Sequence, residues 1–182
     1  MSRLLTLLAA VVVAVGIGMA EEPAKLQVGS KAPEFKFVDQ TGKTVDLAEL
    51  VTKGPVLLRL TCGCSGCDKE LAYFQEIDSA YKKAGLTSVA IFREPDAKVA
   101  KYAAEKQINM IYGVDSKGKS WATFQTKTMP SNFLIGKGGE ILAISYGCDP
   151  SGFVAKKLSE KIAKTVDTQA VDVKAKVEAN KK

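Results

Sequence analysis

The chain of 182 residues contains no histidine. That absence removes Ser-His-Asp and Cys-His catalysis, the His-containing zinc and copper sites, and axial-histidine haem. Any chemistry has to come from cysteine, carboxylate, lysine, tyrosine or the backbone. Cysteine is itself scarce. There are four, Cys62, Cys64, Cys67 and Cys148, and three of them fall within six positions. No block of one charge is present either. The 26 Lys and Arg exceed the 20 Asp and Glu by six, but they are spread along the chain rather than gathered into a basic arm, so no nucleic-acid partner is expected. There is no internal repeat. A hydrophobic share of 46% and a charged share of 25% are those of a folded globular chain, not a disordered one.

Only one long apolar run exists, and it is N-terminal. Arg3 gives a short positive start, and Leu4 to Met19 is apolar apart from Thr6 and the glycines. Gly18-Met19-Ala20 offers small residues at a cleavage site, and Glu21-Glu22-Pro23 ends the pattern. Residues 1–20 therefore read as a secretory signal cleaved after Ala20. An uncleaved membrane anchor is the alternative, because a run of about 17 residues sits at the lower limit for spanning a bilayer. In both cases the domain is periplasmic or otherwise exported, where disulfides persist. A flexible leader is expected over 21–30, a single domain over 31–166, and a helical, lysine-rich tail over 167–182.

Along the domain, Phe35–Val38 and Thr44–Leu47 flank the turn cluster Asp39-Gln40-Thr41-Gly42 and predict a hairpin. Val56–Leu60 is a short apolar run that suits a central strand buried on both faces. Leu71, Phe74, Ile77, Tyr81 and Ala84 recur at helical steps up to Gly85. Thr87–Phe92 is the next strand, and Asp96 is expected to cap a helix carrying Val99, Tyr102 and Ala103 inward. Met110–Val114 predicts a short strand, with a short helix through Trp121 and Phe124 after it. Asn132–Ile135 and Glu140–Tyr146 flank Gly136-Lys137-Gly138-Gly139 and predict a second hairpin. Val154, Leu158, Ile162 and Val166 step by four, predicting a C-terminal helix that continues weakly through Ala170, Val173 and Val177. The order β-hairpin, β, α, β, α, β, α, ββ, α is that of an α/β domain.

The segment Thr61-Cys62-Gly63-Cys64-Ser65-Gly66-Cys67 falls at a strand-to-helix junction. Cys64-Ser65-Gly66-Cys67 is a C-x-x-C, a spacing that brings two sulfurs within bonding reach on the first turn of a helix. The first sulfur then meets unpaired backbone N–H groups at the positive end of the helix dipole, which stabilise a thiolate. Cys64 is thus the expected nucleophile, and Cys67, one turn in, the expected resolving thiol. Met129-Pro130 precedes a strand, and X-Pro bonds are the ones that become cis cheaply. A cis bond there would offer the backbone of Met129 to an extended substrate beside the cysteines. A plain turn proline is the alternative.

Val28–Phe35, Asp39–Leu47, the C-x-x-C, Met129-Pro130 and Phe133-Leu134-Ile135 together resemble, over residues 28–165, the exported thioredoxin-like thiol–disulfide oxidoreductases of the TlpA/ResA type, redoxin relatives of the peroxiredoxins. The resemblance implies a thioredoxin fold with a mixed sheet between helices, a Cys64/Cys67 redox pair and a cis Pro130. It further implies client-protein thiols and disulfides as substrates, an upstream redox partner, a monomer and no cofactor. The chain departs from the pattern in places. Gly63 and Cys62 stand where aromatic residues usually precede the C-x-x-C, and Leu58 stands where thioredoxins proper carry a buried Asp. A peroxidase site requires P-x-x-x-T-x-x-C; Thr61 fits, but Leu57 occupies the proline position.

Cys62 and Cys148 lie outside the family pattern. The strand ending at Tyr146 runs back toward the C-x-x-C end, which brings Cys148 near the other sulfurs. Three readings stay open. The pair could form a second disulfide, as a staple or a relay. All four thiolates could bind copper or zinc. Or Cys62 is a small buried residue and Cys148 an idle thiol. A bond between Cys62 and Cys64, blocking the nucleophile, is a further possibility.

Overall fold

The computed structural model describes residues 25–180. The expected signal segment, Met1–Ala20, lies outside the described residues. Strands β1 (Lys36–Val38) and β2 (Thr44–Asp46) pair antiparallel as a small separate sheet, with Lys36 opposite Asp46. Helix α1 (Leu47–Lys53) follows without a gap, because the Asp46 carboxylate accepts from the Ala48 N–H at 2.9 Å and caps it. Leu47, read from sequence as the end of a strand, is instead the first helical residue. The short apolar pattern of 44–47 gave no sign that Asp46 would act as a cap.

Strand β3 (Val56–Thr61) is buried at every position. It lies at the centre of a five-stranded sheet with β4 (Thr87–Phe92) and β5 (Ile111–Val114) parallel on one side. On the other side are β6 (Ser131–Ile135) and β7 (Ile141–Tyr146), each antiparallel to its neighbour. Helix α2 (Ser65–Tyr81) and α3 (Asp96–Glu105) link the parallel strands. The cap of α3 is Pro95, and Asp96 is the first residue inside. The fixed φ of proline and its missing N–H suit the approach to that first turn. Helix α4 (Lys119–Thr123) carries Trp121 before β6, and α5 (Phe153–Thr165) follows β7. This is the thioredoxin-like α/β arrangement, with an N-terminal hairpin added.

Strand periodicity divides the core. Val56, Leu58 and Leu60 face Phe35, Leu47, Val51, Phe124 and Phe133. Leu57 faces Leu71, Phe74, Ile77 and Leu158 across the other side of the sheet. Arg59 shares that second face by the two-residue repeat, which points a charge at α2.

The C-terminal segment is not one continuing helix. α5 stops at Thr165, Asp167 has a positive φ of 50°, and a new helix, α6 (Val173–Ala179), begins at a cap made by Asp172. Val173 and Val177 are buried in the same cluster as Ile77, Tyr81 and Ile162, so the core extends beyond the expected boundary at 166. Burial of each valine contributes about 1.5–3 kcal/mol. The turn is fixed by Tyr81, which is fully buried. Its hydroxyl accepts from the Val171 N–H at 2.8 Å and donates to Ser159 Oγ at 2.7 Å, while Ser159 donates to the Val171 carbonyl at 2.6 Å.

Replacing Tyr81 with Phe keeps the ring and strands the half-buried Val171 N–H. The expected loss is about 1–3 kcal/mol in urea denaturation, with faster amide exchange concentrated at 171–179. An unchanged midpoint would show that the C-terminal helix is held by its apolar contacts alone.

Candidate active site

The cysteine segment leaves the end of β3 and turns into α2. Cys64 occupies the N-cap with extended backbone (φ −77°, ψ 158°), and its carbonyl accepts from the Asp68 N–H at 2.9 Å. Its side chain is exposed, whereas Cys62 and Cys67 are buried. The sulfurs of Cys62, Cys64 and Cys67 all lie within 4.8 Å of one another. Cys62 and Cys64 are joined by a disulfide. Cys67 is a free thiol whose Sγ lies 3.3 Å from that of Cys62. The sequence places Cys64 and Cys67 together as the redox pair; the structure gathers both, adds Cys62 as a third sulfur and joins Cys62 to Cys64.

Gly63 sits between the bonded cysteines, and its surroundings explain the missing aromatic residue. A methyl group on Gly63 would lie 3.3 Å from the Tyr102 ring, tighter than ordinary contact. Tyr102, projecting from α3, thus covers the loop from outside, and a side chain at 63 would require its ring to give by a few tenths of an ångström. The Gly63 N–H is held at 2.7 Å by Glu94 Oε1, from the loop after β4. The Tyr102 hydroxyl donates to Asp68 at 3.0 Å, and Lys106 pairs with the same carboxylate at 2.8 Å. The Lys106 hydrogen bond, followed by that from Tyr102, holds the Asp68 carboxyl below its usual range. Burial, then the Asp68 carboxylate, raises the Tyr102 hydroxyl.

Beneath the sulfurs is a polar cluster that the sequence reading did not single out. Arg59 and Glu70 are 2% and 1% exposed and form an ion pair at 2.7 Å. Arg59 also donates to Asn132 Oδ1 at 2.9 Å and stacks 4.0 Å from the centroid of Phe74. The other Glu70 oxygen accepts from the Asp149 N–H at 2.6 Å. One carboxylate thereby ties α2 to β3 and to the loop after β7. The available signal was Arg59 itself, a charge inside an otherwise apolar strand, with an acidic residue one turn beyond Cys67.

Cys148 lies where the strand directions place it. Its thiol donates to the Gly66 carbonyl in the first turn of α2 at 2.8 Å. It is unbonded and exposed. Cys148 therefore joins the site but forms no bond with Cys62. Desolvation, then the Glu70 charge, raises its thiol above the ordinary value of 9.0. The Met129–Pro130 peptide bond is cis. Leu60 pairs with Ser131, so one further step of the register sets Pro130 across from Thr61, next to Cys62. Thr126, Thr128 and Ser131 fix this loop. Thr128 N–H donates to Thr126 Oγ1 at 3.1 Å, and Ser131 Oγ donates to the Thr128 carbonyl at 2.8 Å.

Residues 28–144 match the model of the AhpC/TSA family. The chain belongs to that family. Among curated AhpC/TSA-type relatives, the thiol-disulfide oxidoreductase ResA of Geobacillus kaustophilus is 30% identical over 145 residues, covering 79% of this chain and 83% of its own. That of Oceanobacillus iheyensis is 31% identical over 153 residues, covering 80% and 79%. Among solved structures, a protein from Chlorobium tepidum assigned as thiol:disulfide interchange protein DsbE superposes with a TM-score of 0.72 at 26% identity, over 78% of this chain and 99% of its own. A thiol:disulfide interchange protein from Bacteroides sp. gives 0.62 at 25% identity, over 78% and 91%. Within the AhpC/TSA family, this chain is a thiol–disulfide oxidoreductase of the ResA and DsbE kind, with a cysteine pair near the start of a helix.

Two outcomes test the geometry. Arg59→Met leaves Glu70 buried and unpaired, which is expected to cost about 3–5 kcal/mol in chemical denaturation. Adding Glu70→Gln, which still accepts from Asp149, should recover part of that loss; no recovery would mean that Arg59 acts through Phe74 and Asn132 instead. Separately, the iodoacetamide labelling rate of Cys148, followed by peptide mass spectrometry, should reach half its maximum above pH 9.0. An inflection below that value would contradict the roles given to desolvation and Glu70.

Proposed function

We propose that the protein is an exported thiol–disulfide oxidoreductase that exchanges disulfides with client proteins, with Cys64 as nucleophile and Cys67 as resolving thiol. The observation that carries this reading is the placement of the two sulfurs. Cys64 is exposed at the extended N-cap of a 17-residue helix, and Cys67 is buried one turn later. Unpaired N–H groups and the helix dipole at that end favour a thiolate on Cys64. The Asp68 charge in the same turn is offset by Lys106.

In the reductive direction, Cys64 thiolate attacks a client disulfide. A Cys64–client bond forms, and the first client sulfur leaves as a thiolate. Cys67, deprotonated, then attacks Cys64 Sγ and expels the second client sulfur. The client gains two electrons, and the enzyme is left with a Cys64–Cys67 disulfide for an upstream partner to reduce. With Cys62 joined to Cys64, the nucleophile is masked, so that state takes no part until a thiol reduces it. The cis Met129–Pro130 segment, level with Thr61 in the sheet, is suited to holding an extended client backbone beside Cys64. The signal-like Met1–Ala20 supports delivery to the periplasm or another exported compartment.

Cys67→Ser combined with Cys62→Ser, which removes the other thiol able to bond Cys64, should trap mixed disulfides through Cys64 that dithiothreitol releases, seen as mass-shifted species on non-reducing gels with an insulin or client-peptide disulfide. Cys64→Ser should trap none and lose insulin reduction, and Cys148→Ser should retain it. Trapping through Cys62 in place of Cys64 would overturn the assignment of the nucleophile.

A further inference from the structure

Disulfide exchange requires two sulfurs, and this site gathers three. Cys62, Cys64 and Cys67 are contributed by the end of β3, the N-cap of α2 and its first turn, and their sulfurs lie within 4.8 Å of one another. We propose that, once the Cys62–Cys64 bond is reduced, these three sulfurs bind a single thiophilic cation, Cu(I).

The geometry fits a shared centre. With metal–thiolate bonds of about 2.3 Å, three sulfurs around a trigonal ion stand about 4.0 Å apart. That separation falls inside the observed envelope, and the 3.3 Å between Cys62 and Cys67 has only to open by a fraction of an ångström. Two of the three sulfurs are buried, which shields an ion from solvent, and exposed Cys64 leaves a route of entry. The helix N-terminus offsets part of the negative charge that several thiolates would bring.

The donor set selects the ion. Three soft sulfurs with no imidazole in the chain favour Cu(I). A structural zinc site is closed by four protein ligands, and among the described residues no fourth Cys, Asp or Glu joins the three-sulfur group. The Cys148 thiol is turned to the Gly66 carbonyl and lies outside the three-sulfur group. Among the nearby carboxylates, Glu70 is held by Arg59 and the Asp149 N–H, and Asp68 by Tyr102 and Lys106. Glu94 is held at one oxygen by Gly63, and its carboxylate lies outside the three-sulfur group.

A dithiol reductant supplies the two electrons and two protons that open the Cys62–Cys64 bond. Cu(I) then displaces thiol protons to solvent, with no further electron transfer. Because Cys62 and Cys64 serve both the disulfide and the ion, the two states exclude each other. Metal loading is therefore a second activity of the site, gated by its redox state.

The test uses the protein reduced anaerobically, freed of reductant and titrated with Cu(I) against bathocuproine disulfonate. One ion per chain is expected to resist the competitor. Cys62→Ser, Cys64→Ser and Cys67→Ser should each weaken retention by more than the roughly tenfold cost of losing an outer-shell partner, because each removes a direct ligand. Cys148→Ser should have no effect. X-ray absorption of the loaded wild-type protein should report three sulfur neighbours, a measurement that depends on no variant folding. Full retention by Cys62→Ser, two sulfur neighbours, complete stripping by the competitor, or preferential retention of Zn(II) would each overturn the proposal.

Discussion

The buried pair of Arg59 and Glu70 is the constraint on which the site depends. A charge in the middle of the central strand is tolerable only if paired and hydrogen-bonded. Its partners come from each segment that must converge: α2 through Glu70, β6 through Asn132, and the loop after β7 through the Asp149 N–H on Glu70. Cys62 lies three residues beyond Arg59, Cys67 three before Glu70, and Cys148 immediately before Asp149. Satisfying one guanidinium and one carboxylate therefore fixes the positions from which the sulfurs project. The ion pair anchors the cysteine framework from below, and Glu94 and Tyr102 close it from the side.

The layout of strands and helices was legible wherever periodicity was strong. The fully buried β3, the amphipathic α2 and the glycine-turn hairpin of β6 and β7 announce themselves because burial on one or two faces imposes a repeat on the residues. The misread positions are short and capped. Leu47 looks like strand and opens a helix capped by Asp46, Asp96 looks like a cap and lies inside a helix, and the break between α5 and α6 falls among residues whose apolar spacing continues across it. At these places hydrogen bonds to the ends of helices decide the backbone, and such bonds leave no periodic trace.

The site was legible in its members and only partly in its connections. C-x-x-C at a strand-to-helix junction points to sulfurs that the structure gathers, and strand direction brings Cys148 to Gly66. No spacing rule could select Glu94 as the holder of Gly63, or Tyr102 as the ring that replaces an aromatic residue before the cysteines, because both contacts join elements more than 30 residues apart. The sequence left the pairing of the sulfurs open, and the three-sulfur group of Cys62, Cys64 and Cys67 is visible only in the structure. Which sulfurs face each other depends on the path of the Cys62-Gly63-Cys64 loop, and that path is set by those distant partners.

The packing of α6 on α2 has a consequence in time. Lys176 pairs with Glu76 across 100 residues of sequence, and Val173 and Val177 cover Ile77 and Tyr81. During synthesis α2 can form early, but the apolar strip beside Tyr81 stays in water until the ribosome has delivered α6. For that interval the nascent chain presents an apolar strip that α5 and the sheet cover only in part, open to chaperones. α6 thereby completes the cover on α2.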